Sequence, residues 1–253
     1  NVYFAPAVNA ARGLAAQVHT AVGKFSQNFF TAVQPQITKS YASNNIDDSH
    51  SLVLRSSRLA FILMMAFVIP IVFEAEFLLG IWLKEVPEHT IVFVQIIMMF
   101  SLIESFSYPL IHLMLATGNI KKYQLVVGSV NILNFPVAWL ILLLGGSPEL
   151  SQLSVVAFSI IALVLRVVML KPMTNFPVKQ FLTSTVLRCL GILAVGIIPA
   201  YIFVSFMDIG ILRFGCNIVI TELTILIMVL ICGLNPGERE FILEKVKTII
   251  HRR

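Results

Sequence analysis

The chain has 253 residues, 58% of them hydrophobic and 12% charged, with a mean hydropathy of +0.90. A soluble domain carries about 25% charged residues, so this composition excludes a water-soluble protein and indicates an integral membrane protein. The formal charge of +5 would suggest an anionic partner in a soluble chain; here it reads as Lys and Arg retained in cytoplasmic loops, and no nucleic acid is expected.

The chain opens on Asn1-Val2-Tyr3-Phe4, without an initiator Met or a signal peptide. That opening resembles the tail of an earlier apolar helix, so the sequence is expected to be a fragment lacking an N-terminal part. The stretch from Pro6 to Tyr41 then predicts one helix of about 35 residues, roughly 50 Å long and longer than the ~30 Å hydrocarbon core. At about 100° per residue, Asn9, Arg12, Gln17, His19, Thr20, Lys24, Ser26, Gln27 and Gln34 fall in one sector, and Leu14, Val18, Val22, Phe25, Phe29 and Val33 in the other. A spanning helix cannot turn so wide a polar face to lipid, so that face is expected to line a polar cavity inside a helix bundle.

The remaining spans follow from apolar runs of about 20 residues between turn and charge signals. After the loop SYASNNIDDSHS they are expected at 52–83, 89–117, 121–144, 151–170, 182–206 and 214–233. Pro35, Pro70, Pro109, Pro136 and Pro199 fall within or at the ends of spans, where such prolines kink a helix and free a carbonyl. The tail begins NPGE, and Ile242, Val246, Ile249 and Ile250 recur at helical spacing beside Lys245, Lys247, Arg252 and Arg253. It reads as a basic amphipathic helix on the membrane surface. The fold class is all-α: a polytopic transmembrane bundle of about seven spans. Cys189, Cys216 and Cys232 lie in or beside apolar segments, lack metal spacing and read as inert core residues.

If the 40–58 loop is cytoplasmic, fourteen of the 18 Lys and Arg fall on the cytoplasmic side. Lys84 and Arg213 fall on the other side, and Arg12 and Lys24 lie within the first span. This asymmetry predicts a cytoplasmic C-terminus.

Ionisable groups at membrane depth mark function more often than those in a soluble core. Arg12 and Lys24 together suit an anionic group, with a forked contact from Arg and a point charge from Lys. The alternatives are that Arg12 snorkels to the outer headgroups and that Lys24 pairs with a carboxylate in the missing part. Ser101, Glu104, Ser105, Tyr108 and His112 share one face of the third span. Glu104 is either a proton or cation carrier for coupling or the structural partner of Lys24 or Arg12. Gln124, Gly128 and Asn131, with Asn134 nearby, form a milder stripe that interhelical amide bonds would also explain. Glu74 and Glu76 are expected to be solvated near the outer interface. The sequence carries no phosphate-binding Gly-rich loop, zinc motif or nucleophile elbow, and the chain is read as a non-enzyme.

The stretches PAVNAARGLAAQV and FSQNFFTAVQPQITKSYA resemble the start of the second half of bacterial polysaccharide flippases. These are Wzx-type O-antigen and capsule repeat-unit transporters of the MATE-like MOP exporter superfamily. The resemblance continues through EAEFLLGIWLKEVPEHTIVFVQ, SLIESFSYPLIHLMLATGNIKKYQLVVG and NILNFPVAWLILLLGGSPE, and covers roughly residues 1–180. It implies a second lobe over residues 1–172, then two additional helices and a basic tail over 173–253. The missing first lobe of the same protein would be the partner. It also implies a multi-pass protein of the bacterial cytoplasmic (inner) membrane. Such a protein would move an undecaprenyl-diphosphate-linked oligosaccharide across the membrane by alternating access, with no cofactor beyond a coupling Na+ or H+. On this reading Asn9, Arg12, His19, Lys24 and Gln27 line the substrate cavity, and Glu104 serves coupling or an ion pair.

A multidrug exporter of the same superfamily is the first rival, but it would want a more acidic cavity for cations. A membrane glycosyltransferase or polymerase of the same pathway is the second. It would need a large outward loop, whereas KEVPEH, GGSPELSQ and MDIGILRFG are short. A scaffold without transport activity is the third.

Overall fold

A computed structural model describes residues 6–234. The described chain is helical throughout. In order the helices are α1 (Pro6–Ala42), α2 (Ile46–Phe73), the short α3 (Ala75–Trp82), α4 (Thr90–Ala116), α5 (Ile120–Leu143) and α6 (Pro148–Thr174). Two more follow, α7 (Val178–Phe206) and α8 (Ile211–Gly233). Six of them, α2 and α4 to α8, are long and apolar enough to cross a membrane. Helix α1 is long enough but too polar to qualify by composition; it lies alongside α2 and α4 and so shares their depth. The protein is an all-α, multi-pass membrane bundle. Asn1–Phe4 and the amphipathic tail from Asn235 lie outside the described residues.

The expected spans match these helices, and the shifts at their ends have local causes. Helix α2 starts at Ile46, because Asp47 and Asp48 suit the positive end of its dipole. The expected loop thus shrinks to Ser43–Asn45. Helix α6 starts at Pro148: the Ser147 hydroxyl accepts from Leu150 N–H at 3.2 Å, Pro148 opens the helix and Glu149 follows in the first turn. It ends at Asn175, which is left-handed at φ 58°. The single span expected over 52–83 is broken at Glu74 (φ −112°, ψ 20°), just after Pro70. Helix α7 opens with a π-helical stretch over Phe181–Leu187. It packs on α2 there, with Phe181 buried beside Phe106 and Phe176.

Helices α2 and α4 form the centre. Phe61 stacks on Phe106 at 4.3 Å between centroids, and Met64, Met65, Leu102 and Leu110 fill the seam around them. Helix α1 covers one side of this pair, α6 packs on α4, and α7 with α8 packs on α2. Helix α6 presents small residues to its neighbours (Ser151, Ser154, Ser159 and Ala162, all buried), which lets the backbones approach. Helix α5 sits outermost against α6, and its large apolar side chains stand exposed, Phe135 by 78%. Cys189 is buried, but Cys216 and Cys232 are exposed, against the expectation that all three lie in the core; all are free thiols.

The turn after α5 is tight. Gly145 has φ +79°, and a Cβ on Gly146 would meet Ile141 Cγ2 at 2.7 Å and its carbonyl oxygen at 2.8 Å. Gly146→Ala is expected to destabilise the bundle by about 1–3 kcal/mol, as overpacking does, and to lower the melting temperature in detergent.

Candidate functional site

One set of polar residues lies along α1, α4 and α6, and it runs as rungs along the helix axes. At one end Arg12 Nε donates to Gln152 Oε1 on α6 at 3.1 Å. Gln152 is itself buried, so it fixes the Arg12 side chain while the residue stays exposed. Two turns along α1, His19 Nδ1 lies 2.7 Å from Ser101 Oγ on α4. The Ser101 hydroxyl also donates to Ile97 O at 2.8 Å, so both contacts are met when His19 Nδ1 carries the proton and donates. One turn further along α4, Arg166 of α6 reaches Glu104 at 3.5 Å and donates to Ser107 Oγ at 2.8 Å. Beyond it Phe30 of α1 packs on Tyr108 at 4.8 Å and on His112 at 6.5 Å. His112 Nδ1 and Ser26 Oγ are buried without a hydrogen-bond partner among the described residues.

The sequence-derived residues divide between these rungs and an open face. Arg12, His19 and Glu104 stand on the rungs. Asn9, Lys24 and Gln27 are exposed on α1, on the side turned away from α2 and α4. Lys24 has no ion pair among the described residues. Thr20, Asn28, Thr31 and Gln34 continue the exposed polar strip. The buried face of α1 instead uses Val8, Ala11, Ala15, Val22, Ser26, Phe30 and Ile37. Two assignments therefore shift: Ser26 is buried, and Phe25 is 53% exposed, held by stacking on Phe67 at 4.6 Å.

Three sequence expectations are corrected. Glu104 pairs with Arg166 rather than with Lys24 or Arg12. Arg166, counted as a loop charge, is buried within α6, where one guanidinium nitrogen reaches both Glu104 and Ser107. Glu74, expected to be solvated, is fully buried; Glu76 is exposed as expected. Arg213 donates to Glu74 Oε2 from Nε at 3.1 Å and from Nη2 at 2.8 Å. Asn217 Nδ2 donates to Glu74 Oε1 at 2.7 Å, and Thr221 donates to Asn217 at 3.1 Å. This network joins the α2–α3 break to α8. Its signal is present in the sequence: Arg213, Asn217 and Thr221 recur every four residues through an apolar span. Glu222 in the middle of α8 was also overlooked; it is half-buried and has no hydrogen-bond partner among the described residues.

The amide stripe of α5 is partly resolved into contacts. Asn134 accepts from Ser154 Oγ at 2.7 Å, which ties α5 to α6, while Gln124 and Asn131 are exposed. At the end of the bundle where α4 and α6 begin, His89, left-handed just before α4, bonds Glu149 at the start of α6.

No family model, no curated protein and no solved structure matches the chain. Function is therefore read from the arrangement of these residues. A polar, basic strip on one helix, backed by hydrogen-bonded rungs, suits a large polar ligand with negative charge. It supplies donors (Arg, Lys, Asn, Gln) and no exposed carboxylate of its own. No group of three or more metal-ligating side chains occurs among the described residues.

Proposed function

We propose that the chain is the second lobe of a membrane flippase for lipid-linked oligosaccharides, of the MATE-like MOP exporter type, in a bacterial cytoplasmic membrane. The observation that carries this reading is the uncovered strip of α1. It runs from Asn9 through Arg12 and Lys24 to Gln34, on a helix that lies at the depth of the spanning helices. Such a strip at that depth needs a watery or polar cavity. A first lobe facing it would close that cavity. Arg12 and Lys24 would hold the diphosphate, and Asn9, His19 and Gln27 the sugar hydroxyls.

The charge distribution supports the orientation. Exposed Lys39, Arg55, Lys121, Lys122, Lys171 and Lys179 lie towards one end of the described bundle, and exposed Lys84 lies at the other. With Arg58, Arg166 and Arg213 removed from the tally as buried, the asymmetry still favours a cytoplasmic end at the α1–α2, α4–α5 and α6–α7 turns. Coupling to Na+ or H+ would use a carboxylate at membrane depth, Glu104 or Glu222.

The test is genetic. The gene is deleted, then restored intact or with Lys24→Ala or Arg12→Ala, and each variant is confirmed in the membrane. The intact gene should restore surface polysaccharide. Each variant should lose roughly tenfold or more of it, as expected for removing a charged contact worth about 1.5–3 kcal/mol, while lipid-linked repeat units accumulate inside. A deletion that leaves surface glycan intact and changes only sensitivity to cationic drugs would replace this reading with that of an exporter.

A further inference from the structure

We infer that a pocket at one end of the bundle, walled by the ends of α1 and α6 and by the α4–α5 turn, binds the headgroup of an anionic phospholipid of the surrounding leaflet, with Lys122 as its charged contact. The inference is independent of what the bundle transports. The pocket encloses about 460 Å3, and ligand sites span roughly 300–1,000 Å3. Tyr41 comes from the end of α1, and Thr117, Asn119 and Lys122 from the turn into α5. Met169, Pro172 and Met173 come from the end of α6. The spanning helices α4 and α6 finish here and α5 begins here. The pocket therefore lies at the level of the headgroups rather than in hydrocarbon.

Three features of the lining select the occupant. The first is charge. Lys122 lines the pocket without an ion pair among the described residues, and no carboxylate among them lines it. Lys121 precedes it, and Lys39 and Lys171 stand in the last turns of α1 and α6; all four lysines are exposed. The first turn of α5 holds Lys121 and Lys122 with no acidic residue, so both oppose the positive end of the helix dipole, a repulsion that an anion relieves. The second is hydrogen bonding. Asn119 precedes α5, yet its side chain makes no capping bond, which leaves its amide for a ligand, and Tyr41 adds a phenolic hydroxyl. The Thr117 hydroxyl is already used: it donates to Met114 O at 2.7 Å and accepts from Asn119 N–H at 3.3 Å. The third is the apolar wall of Met169, Pro172 and Met173. A soluble phosphate would leave that wall wet, whereas the glycerol backbone and first methylenes of a phospholipid cover it. A zwitterionic headgroup would bring an ammonium among the lysines with no carboxylate in the lining to receive it. An anionic headgroup brings none, as in other basic pockets between membrane helices.

The test uses the intact protein in phosphatidylcholine nanodiscs holding a minor share of phosphatidylglycerol with a diazirine at the start of one acyl chain. After irradiation, adducts are mapped by peptide mass spectrometry and should concentrate on the peptide holding residues 169–173. Lys122→Gln should cut that labelling about fivefold, the effect of one Lys at an anionic lipid surface, and Lys122→Arg should retain it. Lys122 is exposed, so neither change disturbs packed protein. Met173→Trp, which fills the pocket, should remove the labelling with Lys122 in place. Lys84→Gln alters an exposed lysine at the opposite end of the bundle and should change nothing. Equal labelling by the matching phosphatidylethanolamine probe, or labelling indifferent to Lys122→Gln, would overturn the site. A fall as large with Lys84→Gln would reduce it to general attraction and overturn it too. Competition by inorganic phosphate as strong as that by unlabelled phosphatidylglycerol would give the pocket to a soluble anion and overturn the lipid.

Discussion

Glu74→Ala should be the most damaging single substitution in the bundle, costing about 3–5 kcal/mol, because it strands a buried guanidinium. In the wild type every oxygen of Glu74 is used: Oε2 by two Arg213 nitrogens and Oε1 by Asn217. Neither member of the ion pair reaches solvent to any extent, with side-chain exposures of 0% for Glu74 and 6% for Arg213. Truncation therefore leaves Arg213 with Met207 O alone among the described residues, at 3.3 Å, and leaves the Asn217 amide without an acceptor. The loss should appear as a lower melting temperature in detergent and a reduced level in the membrane. Glu74→Gln should fall between, since it keeps an acceptor and loses the charge. A triple change to Glu74→Met, Arg213→Met and Asn217→Leu should recover most of the stability, because replacing a whole buried network with apolar groups of similar volume is close to neutral. If Glu74→Ala melts like the wild type, the network contributes nothing and the carboxylate is effectively solvated.

The second large effect is expected at Glu104 and Arg166, and it separates structure from coupling. Arg166 is buried and meets Glu104 and Ser107, while its Nε has no hydrogen-bond partner among the described residues. Glu104→Ala should therefore cost about 2–4 kcal/mol, somewhat less than at Glu74 because the 3.5 Å contact is looser and Ser107 remains. The informative variant is the double change Glu104→Gln with Arg166→Gln, which removes both charges and keeps hydrogen-bonding groups. If the pair only holds α4 to α6, the double variant should be near wild type in stability and should still export glycan. If Glu104 carries the coupling cation or proton, export should fail while the protein remains folded. The melting temperature and surface glycan, measured on the same variants, distinguish the two.

Much of the fold is legible in the sequence because hydropathy at membrane depth is a one-dimensional signal. The runs at 121–144 and 214–233 each lie within a few residues of α5 and α8. Boundaries were missed where local chemistry outranks hydropathy, as at Ser147-Pro148-Glu149, where a cap and a helix-opening proline extend α6 outward. The sequence places the break of this span at Pro70; the helix runs on to Phe73 and breaks at Glu74, whose burial hydropathy does not reveal. The open strip of α1 was legible from its periodicity. Its partners were not: nothing local to Arg12 points to Gln152, 140 residues away, nor anything local to Glu104 to Arg166. Pairings between spans depend on which helices become neighbours. The charge-count argument also assigns any cation near a span end to a loop, and this misplaces Arg58, Arg166 and Arg213.

Those long-range rungs bear on how the protein is made. Helix α1 is too polar to enter lipid on its own composition, yet the groups that accommodate it are encoded far downstream. Ser101, which meets His19, follows it by 82 residues, and Gln152, which meets Arg12, by 140. Neither has been synthesised when α1 leaves the ribosome. The hydrogen bonds of His19 and Arg12 therefore form only once α4, and then α6, has emerged. The rungs close in the order in which their far halves are made.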